Sequence, residues 1–235
     1  MMKNKLLNSL ILAALAIPGV AMADSSPFSG NVSLTTDYLF RGLTQTNHGG
    51  AIQGGFDYVN PNGFYVGAWG SNISWLYDAQ GYSRAASLEL DTYGGYSASF
   101  AGDYNYNVGV LRYNYGGNAN GSTNADTNEI YGSIGWKTVS AKYSRSTGNL
   151  FGFANSSGST YLELNGTYTL EGPAVDLSAH YGKQTIPNNS TAEYSDYNVK
   201  AAKAFGGYTW AFMVSKTNLT GYDKARGVLS VSHSM

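Results

Sequence analysis

The sequence predicts an all-β fold, a transmembrane antiparallel β-barrel. Apolar and polar residues alternate in short segments, as in Leu88-Glu89-Leu90-Asp91. After the first two dozen residues, no apolar run reaches the ~20 residues that a membrane-spanning helix needs. Many of the alternating segments end in Tyr, Trp or Phe, which is typical of the two membrane interfaces of a barrel. The pattern describes a wall with lipid on one side and water on the other.

The first 23 residues predict an export signal. Lys3 and Lys5 precede an apolar stretch, and Ala21-Met22-Ala23 has the small-x-small pattern that signal peptidase accepts. We expect cleavage after Ala23, which leaves residues 24–235 as one outer-membrane β-barrel. The chain has no cysteine, so a disulfide scaffold and thiolate chemistry are excluded. The formal charge of -1 is spread without blocks, and no basic stripe suits nucleic acid.

Turn and loop signals divide this domain into about twelve strands. Five tight turns are predicted at 60–63, 101–103, 137–138, 171–173 and 206–207. Six longer stretches rich in Gly, Asn, Ser and Thr lie near 41–49, 76–84, 116–126, 147–158, 185–192 and 218–223. In bacterial barrels an even strand number is usual, with short turns in the periplasm and longer loops outside. We therefore predict periplasmic termini and a location in the bacterial outer membrane.

Parity within each segment assigns side chains to the two faces of the wall. A charge on the lipid face costs about 2–4 kcal/mol at mid-bilayer, so the charged parity should face inward. We place these residues on the outer face: Val32, Leu34, Tyr38, Ile52, Phe56, Ile130, Ile134, Trp136, Leu162, Leu164, Tyr168, Val175, Leu177, Tyr181, Tyr208, Trp210, Phe212 and Val214.

The apolar parity changes within one segment. Tyr104, Tyr106, Val108 and Val110 are followed by Leu111, Tyr113 and Tyr115. A β-bulge would explain the change, and so would a misplaced strand. A soluble sandwich or lipocalin-like barrel also alternates, but it would rarely expose so many aromatic residues.

Several motifs resemble the TorF family of bacterial porins. They are Gly30-Asn31-Val32-Ser33-Leu34-Thr35-Thr36-Asp37-Tyr38-Leu39-Phe40-Arg41-Gly42, Gln45-Thr46, Ala51-Ile52-Gln53-Gly54-Gly55-Phe56-Asp57-Tyr58, Gly63-Phe64-Tyr65-Val66-Gly67-Ala68-Trp69 and the closing Val228-Leu229-Ser230-Val231-Ser232. The resemblance implies an outer-membrane β-barrel with a porin role and no catalytic residues. The last strand alternates to the C-terminus, as a barrel-insertion signal does. Met235 stands there where such proteins tend to carry Phe, which bears on insertion and not on the fold.

A twelve-stranded barrel leaves room for a narrow water-filled pore. Strands ~4.8 Å apart and tilted by ~40° give a backbone cylinder on the order of 24 Å across. Loops of about a dozen residues argue against a plug domain or a long loop folded into the lumen. We therefore predict a porin-like channel, open or narrowed by loops, for passive diffusion of small hydrophilic solutes or ions.

Charges of both signs are predicted to line this pore. The lumen-lining set is Asp37, Arg41, Asp57, Glu89, Asp91, Arg112, Glu129, Lys142, Glu163, Asp176, His180, Lys200 and Arg226. A near balance predicts weak ion selectivity, slightly for cations. Alternatively, these charges pair across the lumen and close it. Asp37 and Arg41 share a parity but lie ~13 Å apart along a strand, so any salt bridge should reach a neighbouring strand, in a register-fixing network or around a solute.

An enzyme is the least favoured of the three classes of function. Asp176, Ser178 and His180 share the inner parity, but along a strand they span ~13 Å, too far for a catalytic relay. We predict no catalytic, cofactor or metal site. A non-conducting structural, receptor or adhesin barrel is the alternative to a channel. The apolar loop segment 150–153 could fold inward or pack on a neighbouring subunit of a homo-oligomer. Expected partners are outer-membrane lipid and lipopolysaccharide, the barrel-insertion machinery and small solutes.

Overall fold

The described part of the chain contains fourteen strands, all in antiparallel pairs, and twelve of them close into one barrel. The computed structural model describes residues 26–80, 87–116 and 124–235, so the predicted export signal lies outside the described residues. The barrel strands are β1 (Phe28–Thr35), β4 (Ala51–Val59), β5 (Phe64–Asn72), β6 (Leu88–Phe100), β7 (Tyr104–Tyr115), β8 (Thr127–Trp136), β9 (Val139–Ser146), β10 (Thr160–Leu170), β11 (Val175–Thr185), β12 (Tyr194–Phe205), β13 (Tyr208–Thr217) and β14 (Arg226–Ser234). The remaining strands, β2 (Leu39–Phe40) and β3 (Leu43–Thr44), pair with each other.

Each barrel strand pairs with the next along the chain, and β1 pairs with β14 to close the ring. Five short turns lie at one end of the barrel, together with both chain ends of the described region; we call this the turn end. The six longer connections lie at the other end, the loop end. The predicted fold class and strand number are confirmed.

The described loop residues contain two short helices, α1 (Trp75–Gln80) and a 3-10 helix at Ser190–Ala192. Among the described residues, no helix is long and apolar enough to cross a membrane.

The outer wall of the barrel is apolar. Ile52 is 60% exposed, Tyr168 67% and Trp210 55%, although all three are large apolar or aromatic side chains on barrel strands. Such exposure is the reverse of a soluble protein's pattern and is what a barrel wall that faces lipid would show. Tyr38 is the exception among the residues placed on this face: it is only 4% exposed and lies inside the barrel.

Strand β7 contains no bulge, contrary to the interpretation that its parity change suggests. Its register against β6 and β8 is continuous over the whole strand. Leu111, Tyr113 and Tyr115 are buried because they face inward, into an apolar cluster at the loop end. The apolar residues therefore change face while the strand itself stays regular.

Arg112 consequently faces outward, which corrects its assignment to the lumen. It lies between the buried Leu111 and Tyr113, so alternation directs it to the outer face. Its guanidinium donates to Asp126 Oδ2 at 2.9 Å and to Asn128 Oδ1 at 3.1 Å, across the outside of the wall.

The core of the molecule fills the loop end of the barrel interior. Leu76 of α1 is fully buried, and it clusters with these other buried residues: Tyr38, Ala51, Ile73, Leu111, Tyr113, Tyr115 and Ala125. The barrel wall thus encloses a packed apolar cluster at one end, and polar and charged side chains line much of the rest of its inner face.

Candidate functional site in the barrel lumen

The connection from β1 to β4 folds back into the barrel. Strand β1 ends at Thr35, and residues 37–48 form what we call the plug hairpin, which contains β2 and β3. Its two-residue turn is Arg41-Gly42, with φ of 47° and 76°. Two successive positive φ values are the geometry of a tight two-residue hairpin, and glycine at the second position adopts it without a steric penalty.

The plug hairpin contacts strands all round the barrel. Its partners are Trp69 on β5, Tyr113 on β7, Glu129 on β8, Tyr161 on β10, Gln184 on β11, and Asp196 and Thr217 beside Gly42 on β12 and β13. Only a segment inside the lumen can contact strands on so many sides. The expectation that these loops are too short to fold inward is therefore wrong: extended chain advances about 3.3 Å per residue, so a few residues reach the barrel axis.

Arg41 attaches the tip of the plug hairpin to the far wall. Its guanidinium contacts both carboxylate oxygens of Glu129, at 3.0 and 2.8 Å, and donates to Gln184 Oε1 at 2.9 Å. The same group lies 4.3 Å from the ring centre of Tyr161. Burial disfavours the charged guanidinium, but the adjacent Glu129 carboxylate outweighs this effect and raises the pKa of Arg41 above its ordinary value.

This ion pair corrects the prediction that Arg41 lies on the first strand and pairs with a neighbouring one. Arg41 lies on the hairpin turn, and its partner Glu129 belongs to β8, across the lumen. The side chains are 7% and 2% exposed. Arg41 Nη2 bridges both carboxylate oxygens, and this bridging and the burial make the pair the most constrained charged contact of the plug hairpin.

Asp37 holds the base of the plug hairpin. It accepts hydrogen bonds from Thr44 Oγ1 at 2.6 Å and Thr46 Oγ1 at 3.2 Å, and His48 Nδ1 lies 3.0 Å from its other oxygen. Asp37 therefore organises the hairpin itself rather than the pore wall, although it is buried at this end of the barrel.

A buried acidic wall lies beside the hairpin tip. Glu89 and Asp91 on β6 are 0% and 1% exposed, and Glu129 is 3% exposed. Tyr115 donates to Glu89 Oε1 at 3.3 Å. Glu89 Oε2 and Asp91 Oδ1 are buried and have no hydrogen-bond partner among the described residues. Arg41 therefore balances one carboxylate of this wall, and Glu89 and Asp91 form no ion pair among the described residues.

The opposite wall carries a network around His180. Its Nδ1 lies 2.7 Å from Asn165 Oδ1, and its Nε2 lies 3.2 Å from Asp196 Oδ1. Tyr161 donates to Asp196 Oδ2 at 2.9 Å. The predicted lumen set omits Asp196. It shares the inner parity of β12 with Asn198 and Lys200, so the alternation that predicts Lys200 in the lumen also predicts Asp196 there.

The structure places the remaining predicted residues on the inner face. Lys142 Nζ lies 3.8 Å from Glu163 Oε1 and 4.7 Å from the ring centre of Tyr131. Asp57 accepts from Tyr93, and Asp176 from Thr169, both at 2.7 Å. Lys200 and Arg226 are half-buried and share the parity of the inward residues on their strands.

The apolar loop segment at 150–153 also folds inward, one of its two predicted alternatives. Leu150 is 2% exposed, and the Phe151 ring packs 5.7 Å from Phe40 and 5.1 Å from Tyr113. This loop, the plug hairpin and the loop that contains α1 thus meet in the lumen. Within the described part of the chain, no group of three or more His, Asp or Glu residues could hold a metal ion.

A closed twelve-stranded antiparallel barrel with an apolar outer wall and a polar, charged interior has the fold of bacterial outer-membrane porins. The chain belongs to the Gcw_chp family, described as bacterial protein of unknown function, whose family model matches residues 21–230. No curated protein sequence matches it significantly.

Two solved structures share this fold at low sequence identity, and a third is less similar. A KdgM porin in complex with disordered oligogalacturonate is 11% identical, with a TM-score of 0.55 over 88% of this chain and 98% of that one. A structure from work on the in-meso crystallization of membrane proteins is 11% identical, with a TM-score of 0.51 over 88% and 83%. Outer membrane protein OpdK from Pseudomonas aeruginosa is 14% identical, with a TM-score of 0.44 over 87% and 61%.

Proposed function

We propose that this protein is a porin-like channel of the bacterial outer membrane, in which the plug hairpin narrows the path of small hydrophilic solutes or ions. The observation that carries the proposal is the charged lumen inside an apolar wall, with one loop held across it by the Arg41–Glu129 ion pair. A water-filled passage needs such a polar interior. The resemblance to TorF family porins and the porin-type fold support the same assignment.

The inner face is more exposed to solvent toward the turn end. The side chains of Lys142, Glu163 and His180 are 11%, 23% and 15% exposed, whereas Glu89 and Asp91 beside the plug hairpin are almost wholly buried. The constriction therefore lies at the loop end. In the proposed orientation the turn end and both termini face the periplasm, so the plug hairpin stands at the external mouth.

A non-conducting barrel is the second candidate, and one observation favours it. The apolar cluster around Leu76, the plug hairpin and Phe151 pack together at the loop end. If this packing is permanent, the lumen stays closed and the charged interior serves only stability.

Single-channel recording of the refolded protein in a planar bilayer tests the proposal. We expect discrete conductance steps that are smaller than an unobstructed twelve-stranded barrel would give. Folding is checked independently, because folded barrels migrate differently from heated ones on SDS gels. A barrel that folds and inserts but never conducts would contradict the channel and support the second candidate.

A further inference from the structure

Acidic residues are confined to the inner face of the barrel wall, whereas basic residues lie on both faces. Within the described strands, every Asp and Glu lies on the inner parity: Asp57, Glu89, Asp91, Glu129, Glu163, Asp176 and Asp196. The charged residues on the outer parity are all basic: Arg112, Arg145, Lys183 and Lys216 near the loop end, and Lys203 near the turn end. The proposed channel function does not explain the basic residues on the outer face, because their side chains do not reach the pore.

The barrel's tilt decides which outer positions share a height. A register line that begins at Asn31, near the turn end of β1, reaches Thr127, the first residue of β8 at the loop end. It passes through Gly55, Trp69, Asp91 and Tyr113. Hydrogen-bonded register thus climbs toward the loop end from β1 onward. Residues at one height along the barrel axis therefore lie nearer the turn end, on each successive strand, than the residue on the register line.

The four loop-end basic residues follow this step. Arg145 on β9 is in register, across β10, with Thr185 on β11, and Lys183 lies two residues nearer the turn end than Thr185. The same two-residue step relates Arg112 to Arg145 and Lys183 to Lys216. The four side chains therefore lie at one height on alternate strands, roughly 10 Å apart. We call them the basic collar.

The basic collar lies at the border between the apolar wall and the polar loops. Two residues nearer the turn end, the outer positions on the same strands are Val110, Tyr143, Tyr181 and Val214, all of which are exposed and apolar or aromatic. Arg145, Lys183 and Lys216 are exposed and form no ion pair within the described residues. Arg112 pairs with Asp126 at 2.9 Å. The collar covers β7 to β13, and the outer face of β1 and β4 to β6 has no counterpart.

We propose that the basic collar binds the phosphate groups of a phosphorylated glycolipid in the outer leaflet of the membrane. Cations at an apolar border fit a ligand whose acyl chains lie on the wall and whose phosphates lie at the collar. Free phosphate would use only the charges and leave the adjoining apolar band without a role. The inference rests on the outer-membrane setting of the proposed function, with the loop end outside.

The probe is bisphosphorylated lipid A, titrated in detergent micelles against the refolded protein. The test variant combines Arg112→Gln, Arg145→Gln, Lys183→Gln and Lys216→Gln, and the matched control is Lys203→Gln at the other rim. Each cation near an anionic lipid surface contributes roughly fivefold in affinity, so we expect the combined variant to bind at least ~50-fold more weakly. Lys203→Gln should match the wild type, and inorganic phosphate should not displace the lipid.

Three results would overturn the proposal that the basic collar binds a phosphorylated glycolipid. They are equal binding by the combined variant, an equal loss in Lys203→Gln, and equal binding of lipid A from which the phosphates have been removed. Displacement by inorganic phosphate would instead indicate a simple anion site and refute the lipid assignment. If the combined variant does not fold, the pair Lys183→Gln and Lys216→Gln should weaken binding by roughly 10-fold or more. Binding in micelles needs no conduction, so a lipid-binding barrel without conductance would refute the channel alone.

Discussion

Arg41 is the residue on which the position of the plug hairpin depends most. Its guanidinium contacts Glu129 and Gln184 and stacks on Tyr161. This one side chain therefore links the plug hairpin to three strands of the far wall, β8, β10 and β11. Removing one partner of a buried ion pair costs about 3–5 kcal/mol, because the other charge is left buried without compensation. The contact therefore holds the hairpin inside the lumen far more firmly than a surface salt bridge would.

Arg41→Gln should loosen the plug hairpin. The chain has no cysteine, so Gln45→Cys, at a site 8% exposed, reports hairpin opening through its rate of maleimide labelling. We expect labelling to be at least ~10-fold faster when Arg41→Gln is added, since about 3 kcal/mol of anchoring is lost. Lys203→Gln, a change of similar charge on the outer wall, should leave the rate unchanged. An unchanged rate in Arg41→Gln would show that the ion pair does not anchor the hairpin.

Gly42 is required by space as well as by backbone conformation. A Cβ at this position would lie 2.6 Å from the Asp196 Cβ and 2.7 Å from the Thr217 Cγ2. Gly42→Ala should therefore also raise the labelling rate of Gln45→Cys, because the hairpin tip must withdraw from β12 and β13. Gly102 has nearly the same φ, +78°, but has nothing within 4 Å of an added Cβ. Gly102→Ala therefore carries only the left-handed penalty, and a similar effect from both substitutions would count against the packing explanation.

Packing between two loops sets the stability of the loop end. Phe151 lies against Phe40 of the plug hairpin and against Tyr113 of β7, whereas Phe153 in the same loop is exposed. Phe151→Ala should lower the temperature at which the folded gel band is lost, because truncating a packed Phe costs about 3–5 kcal/mol. Phe153→Ala is the matched control and should shift this temperature little. Equal shifts would mean that the loop does not pack on the hairpin.

The strands were predictable from sequence, but the plug hairpin was not. Alternation in β4, β10 and β13 is fixed by lipid on one side, a local constraint that each strand records by itself. Tyr38 and Phe40 alternate in the same way, so they read as an extension of β1. Their true environment is supplied by Tyr113, Glu129 and Tyr161, which come from strands far along the chain. Residue patterning within one segment cannot contain that information.

The parity change in β7 has the same origin. Leu111, Tyr113 and Tyr115 are apolar on the inner face because the plug hairpin and α1 give them an apolar environment there. If every inward residue is expected to be polar, inward apolar residues give the sequence pattern of a bulge or a misplaced strand. Asp196, by contrast, was within reach of the parity argument, since β12 alternates as regularly as its neighbours.

At the scale of the whole molecule, the lumen holds a larger excess of acidic side chains than the near balance that the sequence predicts. Arg112 leaves the predicted set and Asp196 joins it, while Arg41 is neutralised by Glu129. We therefore expect a clear cation preference instead of a slight one. The reversal potential in a KCl gradient measures it, and Asp176→Asn, which removes a carboxylate that is less buried on the inner face, should reduce the preference. An anion-selective pore would contradict the assignment of these carboxylates to the conducting path.

Replacement of the plug hairpin tests the central claim most directly. Thr35 and Ala51 are a cross-strand pair, so an Asn-Gly turn can join β1 to β4 in place of residues 36–50. Single-channel conductance of this variant is compared with that of the wild type under the same salt, after folding is confirmed for both. A channel narrowed by its own hairpin predicts a severalfold larger conductance without it. Equal conductance, or none in either protein, would contradict a pore constricted by the plug hairpin.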